Sequence, residues 1–87
     1  SKMHVAYFDS SALLSMLLAD TNAERALEAW ERGGIRVSSA LLAFEGNVVI
    51  HRVGLTLPTD QLDVWVAEAL QWLDNVRNEL LLHEVDE

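Results

Sequence analysis

The sequence contains no cysteine, which removes disulfides and thiolate metal sites together and fits a cytoplasmic protein. Proline is almost missing, with a single residue, and glycine occurs four times in 87 residues. So little punctuation leaves no room for linkers, and neither repeats nor low-complexity tracts interrupt the chain; residues 1–87 read as one small domain. A chain of this length buries only about 60% of its unfolded surface, so its stability is marginal. Basic residues are also scarce: six Lys and Arg stand against 14 Asp and Glu, a formal charge of −8. Affinity for nucleic acid rests largely on Lys and Arg, so this balance argues against a simple phosphate-binding surface. An enzyme that meets RNA through bound cations is not, because a carboxylate-held metal inverts the local field. No stretch approaches the roughly 20 apolar residues that span a bilayer, and Lys2 is not followed by the apolar run of a signal peptide. A membrane partner is therefore not expected.

What is present is hydrophobic patterning in short, alternating blocks. Val5-Ala6-Tyr7-Phe8 is a continuous apolar run and reads as a strand buried on both faces. It ends at Asp9, and Ser10 or Ser11 is expected to cap a helix that reaches about Asp20. Thr21-Asn22-Ala23-Glu24 has the spacing of a capping box ahead of a second helix through Ala26, Leu27 and Trp30, which Gly33-Gly34 should stop. Ile35 to Val37 reads as a second strand, with Ser38 and Ser39 as caps for a third helix over about Ala40 to Val53. Thr59 is the expected cap of a fourth helix, whose stripe Leu62, Trp65, Val66, Ala69, Leu73 and Val76 keeps helical spacing. Leu80-Leu81-Leu82 reads as a third buried strand, extending toward Val85. The order β-α-α-β-α-α-β predicts an α/β fold with a parallel sheet and helices on its faces.

Two acids stand apart from the other twelve. Asp9 ends the first strand, and in open α/β sheets ligands gather at the carboxyl ends of strands. Glu45 falls on the third helix, sharing a face with Leu41, Leu42, Val48 and Val49 at 100° per residue. A carboxylate within an apolar stripe needs a partner, and a hard cation such as Mg²⁺ is one. Two blander readings stay open: Asp9 as a helix cap, and an internal ion pair between Glu45 and Arg52, seven residues further on the same face. Asp60, Asp63, Glu68 and Asp74 read as the solvated face of the fourth helix. His4, His51 and His83 lack metal-ligand spacing. Ser38 and Ser39 lack positioned His and Asp partners, and Trp30, Trp65 and Trp72 read as core or interface rather than as a base-stacking platform, which would need a basic groove.

The segment Tyr7-Phe8-Asp9-Ser10-Ser11-Ala12-Leu13-Leu14 resembles the opening of PIN domains, a family of metal-dependent ribonucleases. Val37-Ser38-Ser39-Ala40-Leu41-Leu42-Ala43-Phe44-Glu45 resembles the second motif of that family, and Arg52 falls where an arginine is common. The pattern is closest to VapC-type toxins of type II toxin–antitoxin pairs. Gly46 departs from the usual apolar residue after the glutamate. The resemblance implies a PIN-like three-layer fold and an endoribonuclease dependent on Mg²⁺ or Mn²⁺. It implies Asp9 and Glu45 as catalytic, metal-coordinating acids, supported by Ser10, Ser11 and Arg52. It further implies RNA as substrate, an antitoxin protein as partner, and a homodimer. The resemblance covers about residues 5 to 53. PIN domains carry further acids after the third strand, and nothing here matches that motif. The chain is therefore expected to be a partial PIN-like domain, truncated after its third strand and inactive alone. It is also expected to associate as a dimer or swapped assembly that buries Ile50, the Trp65/Trp72 helix or the third strand. The other readings are a non-catalytic interaction or dimerisation module, and an unrelated small α/β domain in which Asp9 and Glu45 are structural.

Overall fold

The computed structural model describes residues 4–83. Its elements are β1 (Val5–Tyr7), α1 (Ser10–Leu18), α2 (Ala23–Glu31), β2 (Ile35–Ser39), α3 (Leu42–Gly54), α4 (Thr59–Asn78) and β3 (Leu81–His83). The three strands form one parallel sheet in the order β1-β2-β3. Mixed α/β architecture and parallel pairing thus agree with the expected element order. The expected extension of the third strand toward Val85 lies outside the described residues.

The sheet is held in register at both ends of β1. Val5 pairs with Ile35 and Tyr7 with Val37, and the Ile35 amide donates to the His4 carbonyl at 2.7 Å. That close approach explains Gly34, which has φ +80° and where a Cβ would collide with the His4 backbone. At the other end the Phe8 amide donates to Val37 O at 2.8 Å. The fully buried Ser38 hydroxyl returns a bond to Phe8 O at 2.6 Å. Arg36 secures the turn out of α2: its guanidinium lies 4.3 Å over the Trp30 ring and donates through Nε and Nη2 to the Trp30 carbonyl.

Strand burial corrects the expectation. Val5 and Tyr7 are each 59% exposed, and Leu81 and Leu82 are exposed as well. β1 and β3 are the edges of a three-stranded sheet, so an apolar run does not guarantee cover on both faces. The core lies instead among Phe8, Leu13, Leu42, Ile50, Ala69, Leu73, Val76 and Leu80. Trp30, Trp65 and Trp72 pack against it as half-buried residues, which agrees with the core side of their reading as core or interface.

α3 packs on α4 through Leu42, Gly46, Ile50 and Gly54, all buried and spaced four apart. Gly46 and Gly54 let α4 come close: a Cβ at Gly46 would stand 2.8 Å from a Leu73 methyl, and one at Gly54 2.8 Å from a Val66 methyl. Ile50 is 0% exposed. The expectation that Ile50 needs an intermolecular cover is therefore wrong, since α4 covers it.

Candidate functional site

β1 and β2 run parallel, so their carboxyl ends lie at one edge of the sheet. Two strand-to-helix junctions meet there: β1 leads through Asp9 into α1, and β2 leads through Leu41 into α3. Asp9 belongs to the first junction and Glu45 to the first turn of α3 at the second.

Asp9 itself is the cap of α1. It has extended backbone (φ −74°, ψ 166°), and its Oδ1 accepts from the Ala12 amide at 2.8 Å and from the Ser11 hydroxyl at 2.7 Å. Neither Ser10 nor Ser11 caps the helix, as the sequence had suggested; both lie inside it. The reason is position: only Asp9 combines extended dihedrals with a side chain one turn before a free amide. Ser11 supports the aspartate directly. Ser10 is the half-buried first residue of α1. The Ala12 backbone bond first, and the Ser11 hydroxyl second, hold the Asp9 carboxyl below its ordinary pKa, against a small opposing effect of burial. Asp9 is therefore ionised at neutral pH, and its bonds to the described residues go to Oδ1.

The other proposed caps also move. The capping box at Thr21 does not form: Asn22 precedes α2 with helical dihedrals and makes no side-chain cap bond, while its amide binds Asp20 Oδ1 at 2.9 Å. Ser38 is a strand residue rather than a cap. Ser39 Oγ accepts from the Leu41 amide at 3.1 Å, in the turn before α3. Thr59 lies in the first turn of α4, after Pro58.

Glu45 is exposed, not embedded among apolar neighbours. The four residues expected to share its face divide: Leu41 and Val48 are exposed, Val49 is half-buried and Leu42 is buried, because the core face of α3 is the Leu42/Gly46/Ile50/Gly54 row and Glu45 lies away from it. The desolvation argument for a cation at Glu45 accordingly falls away. Arg52 is exposed, and among the described residues no ion pair joins it to Glu45. The ion pair present there links Arg36 to Glu79 at 3.7 Å. Asp60, Asp63, Glu68 and Asp74 are all exposed, as their reading as a solvated face requires.

A cavity of roughly 610 Å³ opens beside Asp9, lined by Tyr7, Asp9, Ser11, Asp20 and Arg25 among others, with Val49 from α3. Arg25 is the residue that sequence reasoning passed over. Its signal was available: it is one of six basic residues in an acidic chain. Nothing in the α2 pattern, however, places it beside a strand end more than a dozen residues earlier. Among the described residues no three acidic or histidine side chains gather in a way that could hold a metal ion. Glu45 does not line the cavity beside Asp9; in kind, an ionised aspartate oriented by two hydrogen bonds and a solvent-exposed glutamate are oxygen donors of the type a hard cation takes. Mg²⁺ is commonly held by one or two carboxylates, with waters and substrate phosphates completing the shell. No helix among the described residues is long and apolar enough to cross a membrane. No protein-family model, curated protein or solved structure matches this chain.

Proposed function

We propose that this chain carries part of the site of a divalent-metal ribonuclease of PIN type, resembling the toxin of a type II toxin–antitoxin pair with a PIN-like three-layer fold. The observation that supports this most is Asp9. It is ionised and oriented by Ser11 and the Ala12 amide, at the sheet edge where α3 with Glu45 begins. Asp9 and Glu45 would hold Mg²⁺ or Mn²⁺ there. When bound, such an ion activates water and stabilises the leaving oxygen of a phosphodiester. Ser11 fixes the carboxylate before any ligand arrives, and Arg25, lining the same cavity, supplies a positive charge toward a substrate phosphate. Two acids give weak cation affinity, so this 87-residue chain is expected to show little nuclease activity by itself.

Titration with Mn²⁺ tests the site by NMR. Paramagnetic broadening should be confined to the amides around Asp9–Ala12 and the first turn of α3, and Asp9→Asn should abolish it. Broadening spread over the Asp60, Asp63 and Glu68 face, or none at millimolar Mn²⁺, would remove the metal reading. A second reading, a non-catalytic association module, is favoured by one specific feature, the exposed apolar stripe of α3.

A further inference from the structure

α3 and α4 form an antiparallel hairpin, since Gly54 of α3 meets Val66 of α4 while Gly46 meets Leu73. Between the two helices runs an open groove of roughly 550 Å³. His51 and Leu55 line it from α3, and Leu62, Val66 and Leu70 line it from α4. Leu55 is 81% exposed, and apolar surface gathered in one groove marks a contact site where a single exposed leucine does not. An apolar groove between two helices is the receptor half of a helix-in-groove contact.

The α4 rim of this groove is acidic. Asp60, Asp63, Ala67, Leu70 and Asp74 are spaced alternately three and four apart, so they follow one line along α4. Asp63 and Ala67 line the groove itself, and all three aspartates are exposed. Glu68 falls on the other side of the helix at 100° per residue. Three of the four acids that read as a merely solvated face thus border apolar surface. Arg52, exposed beside His51 on α3, offsets one of their charges. Ala67 is the smallest side chain on the rim, and small contact residues let two helix axes come close. From Asp60 to Asp74 the line covers about four turns, or about 21 Å.

Charge decides between occupants. A second copy using the same face would bring its own formal charge of −8 and set aspartate against aspartate. A nucleic-acid backbone meets the same repulsion. A basic helix does not. We infer that the α3/α4 groove docks an amphipathic helix of a different protein, about four turns long. Its apolar stripe covers Leu55 and Leu70, and its lysines or arginines pair with Asp60, Asp63 and Asp74. The acidic field of the chain draws such a helix in and disfavours acidic competitors. The inference stands apart from the nuclease reading, because the groove shares no lining residue with the cavity beside Asp9.

Fluorescence anisotropy in EDTA tests it without involving metal. The probe is a labelled helical peptide of about 16 residues built from leucine, alanine and lysine, long enough for four turns. It should bind with a Kd of about 10 μM, while a peptide with the same apolar stripe and glutamate in place of lysine should not bind. Asp63→Lys should weaken probe binding at least about 10-fold, as like charges facing each other in a contact do. Leu55→Asp should weaken it by at least about 10-fold as well, by removing an apolar anchor. Both residues are exposed, so the circular dichroism spectrum should not change. Glu24→Lys makes the same change in net charge on the exposed face of α2 and should leave the affinity within about twofold, because distant charges are screened. Equal binding of the glutamate peptide would overturn the proposal, as would a Glu24→Lys loss equal to that of Asp63→Lys. So would sedimentation velocity showing a dimer of the chain alone that Leu55→Asp dissociates, since a second copy would then fill the groove.

Discussion

The two strand-to-helix junctions at the carboxyl edge of the sheet carry the same run, Ser10-Ser11-Ala12-Leu13-Leu14 and Ser38-Ser39-Ala40-Leu41-Leu42, yet they solve the helix start differently. At the first, an aspartate side chain closes the helix through Ala12 and is itself held by Ser11. At the second, α3 starts with no side-chain cap bond, and the work is done by a buried leucine and by the Ser38 hydroxyl donating to the Phe8 carbonyl just after β1. The polar junction fixes a charge in place; the apolar junction fixes a helix and leaves its acid, Glu45, in solvent. Acids at matching places in a fold are therefore not equivalent in energy, and substitutions can separate them.

The largest expected effect breaks the apolar junction. Leu42 is 0% exposed at the first residue of α3, and Leu42→Ala should cost about 2–5 kcal/mol, the range for a buried leucine. In a chain this small that is a large share of the total stability, so urea unfolding should show a collapsed midpoint or no folded baseline. Gly46→Ala should come next. The new methyl meets two Leu73 methyls at 2.8 and 3.0 Å, and overpacking of about 1–3 kcal/mol outweighs the gain of about 1 kcal/mol in helix propensity. A thermal melt showing Gly46→Ala more stable than wild type would mean that Leu73 can turn aside and that α3 and α4 are less tightly joined.

The polar junction responds less and differently. Asp9→Ala should cost about 1 kcal/mol at neutral pH, as removal of a helix cap does, while Asp9→Asn should cost less because asparagine caps nearly as well. Only the aspartate titrates. Its carboxyl is held below the ordinary value in the folded chain, so the stability it adds is fully present above its unfolded pKa of about 3.9 and is lost as pH falls through the lower folded value. Urea midpoints of wild type and Asp9→Ala should therefore converge below about pH 4. A gap that stays constant into acid would show that the hydrogen bonds to Ala12 and Ser11 do not depend on the charge.

Element order, parallel pairing and the α4 stripe were readable because each rests on a period that tertiary contacts only reinforce; Leu62 to Val76 runs for four turns of one helix. The caps were readable only in part: Asp9 as a cap was one of the open readings and is the one found, while the serine and threonine caps are not. Asp9, Ser10 and Ser11 are all good capping types, and which one acts depends on where the backbone turns extended, which side-chain chemistry alone does not reveal. The faces of α3 were misread for another reason. Its core row contains Gly46 and Gly54, which add no hydrophobic signal although they make the closest helix contacts. The expected stripe joined Leu42 of the core row to Leu41 and Val48, which are exposed and add a strong one. Burial at Glu45 was thus inferred from the wrong side of the helix. Likewise, Val5 and Tyr7 read as interior because apolar runs do not distinguish an edge strand from a central one. Of the candidate site, the position of Asp9 was legible from its strand end, while the part played by Ser11 and the neighbouring Arg25 needed three dimensions.

The smallest expected effect on stability is at Glu45, and it sharpens the comparison most. Glu45 is exposed, and among the described residues it has no hydrogen-bond or ion-pair partner for its side chain. What it does have is its place in the first turn of α3, where a negative charge meets the positive end of the helix dipole for a few tenths of a kcal/mol. Glu45→Gln should then lower stability by no more than about 0.5 kcal/mol, within the range of ordinary surface substitutions. Because this dipole effect is screened, the difference should shrink further in high salt. If Glu45 is free to bind a cation, the same substitution should reduce Mn²⁺-induced broadening around α3 while the melting curve barely moves. Asp9→Ala, by contrast, should alter both, since that carboxylate is already in use as a cap. A loss of several kcal/mol on Glu45→Gln would mean that the glutamate is buried or paired in solution, and the division between a structural acid at one junction and a free acid at the other would not hold.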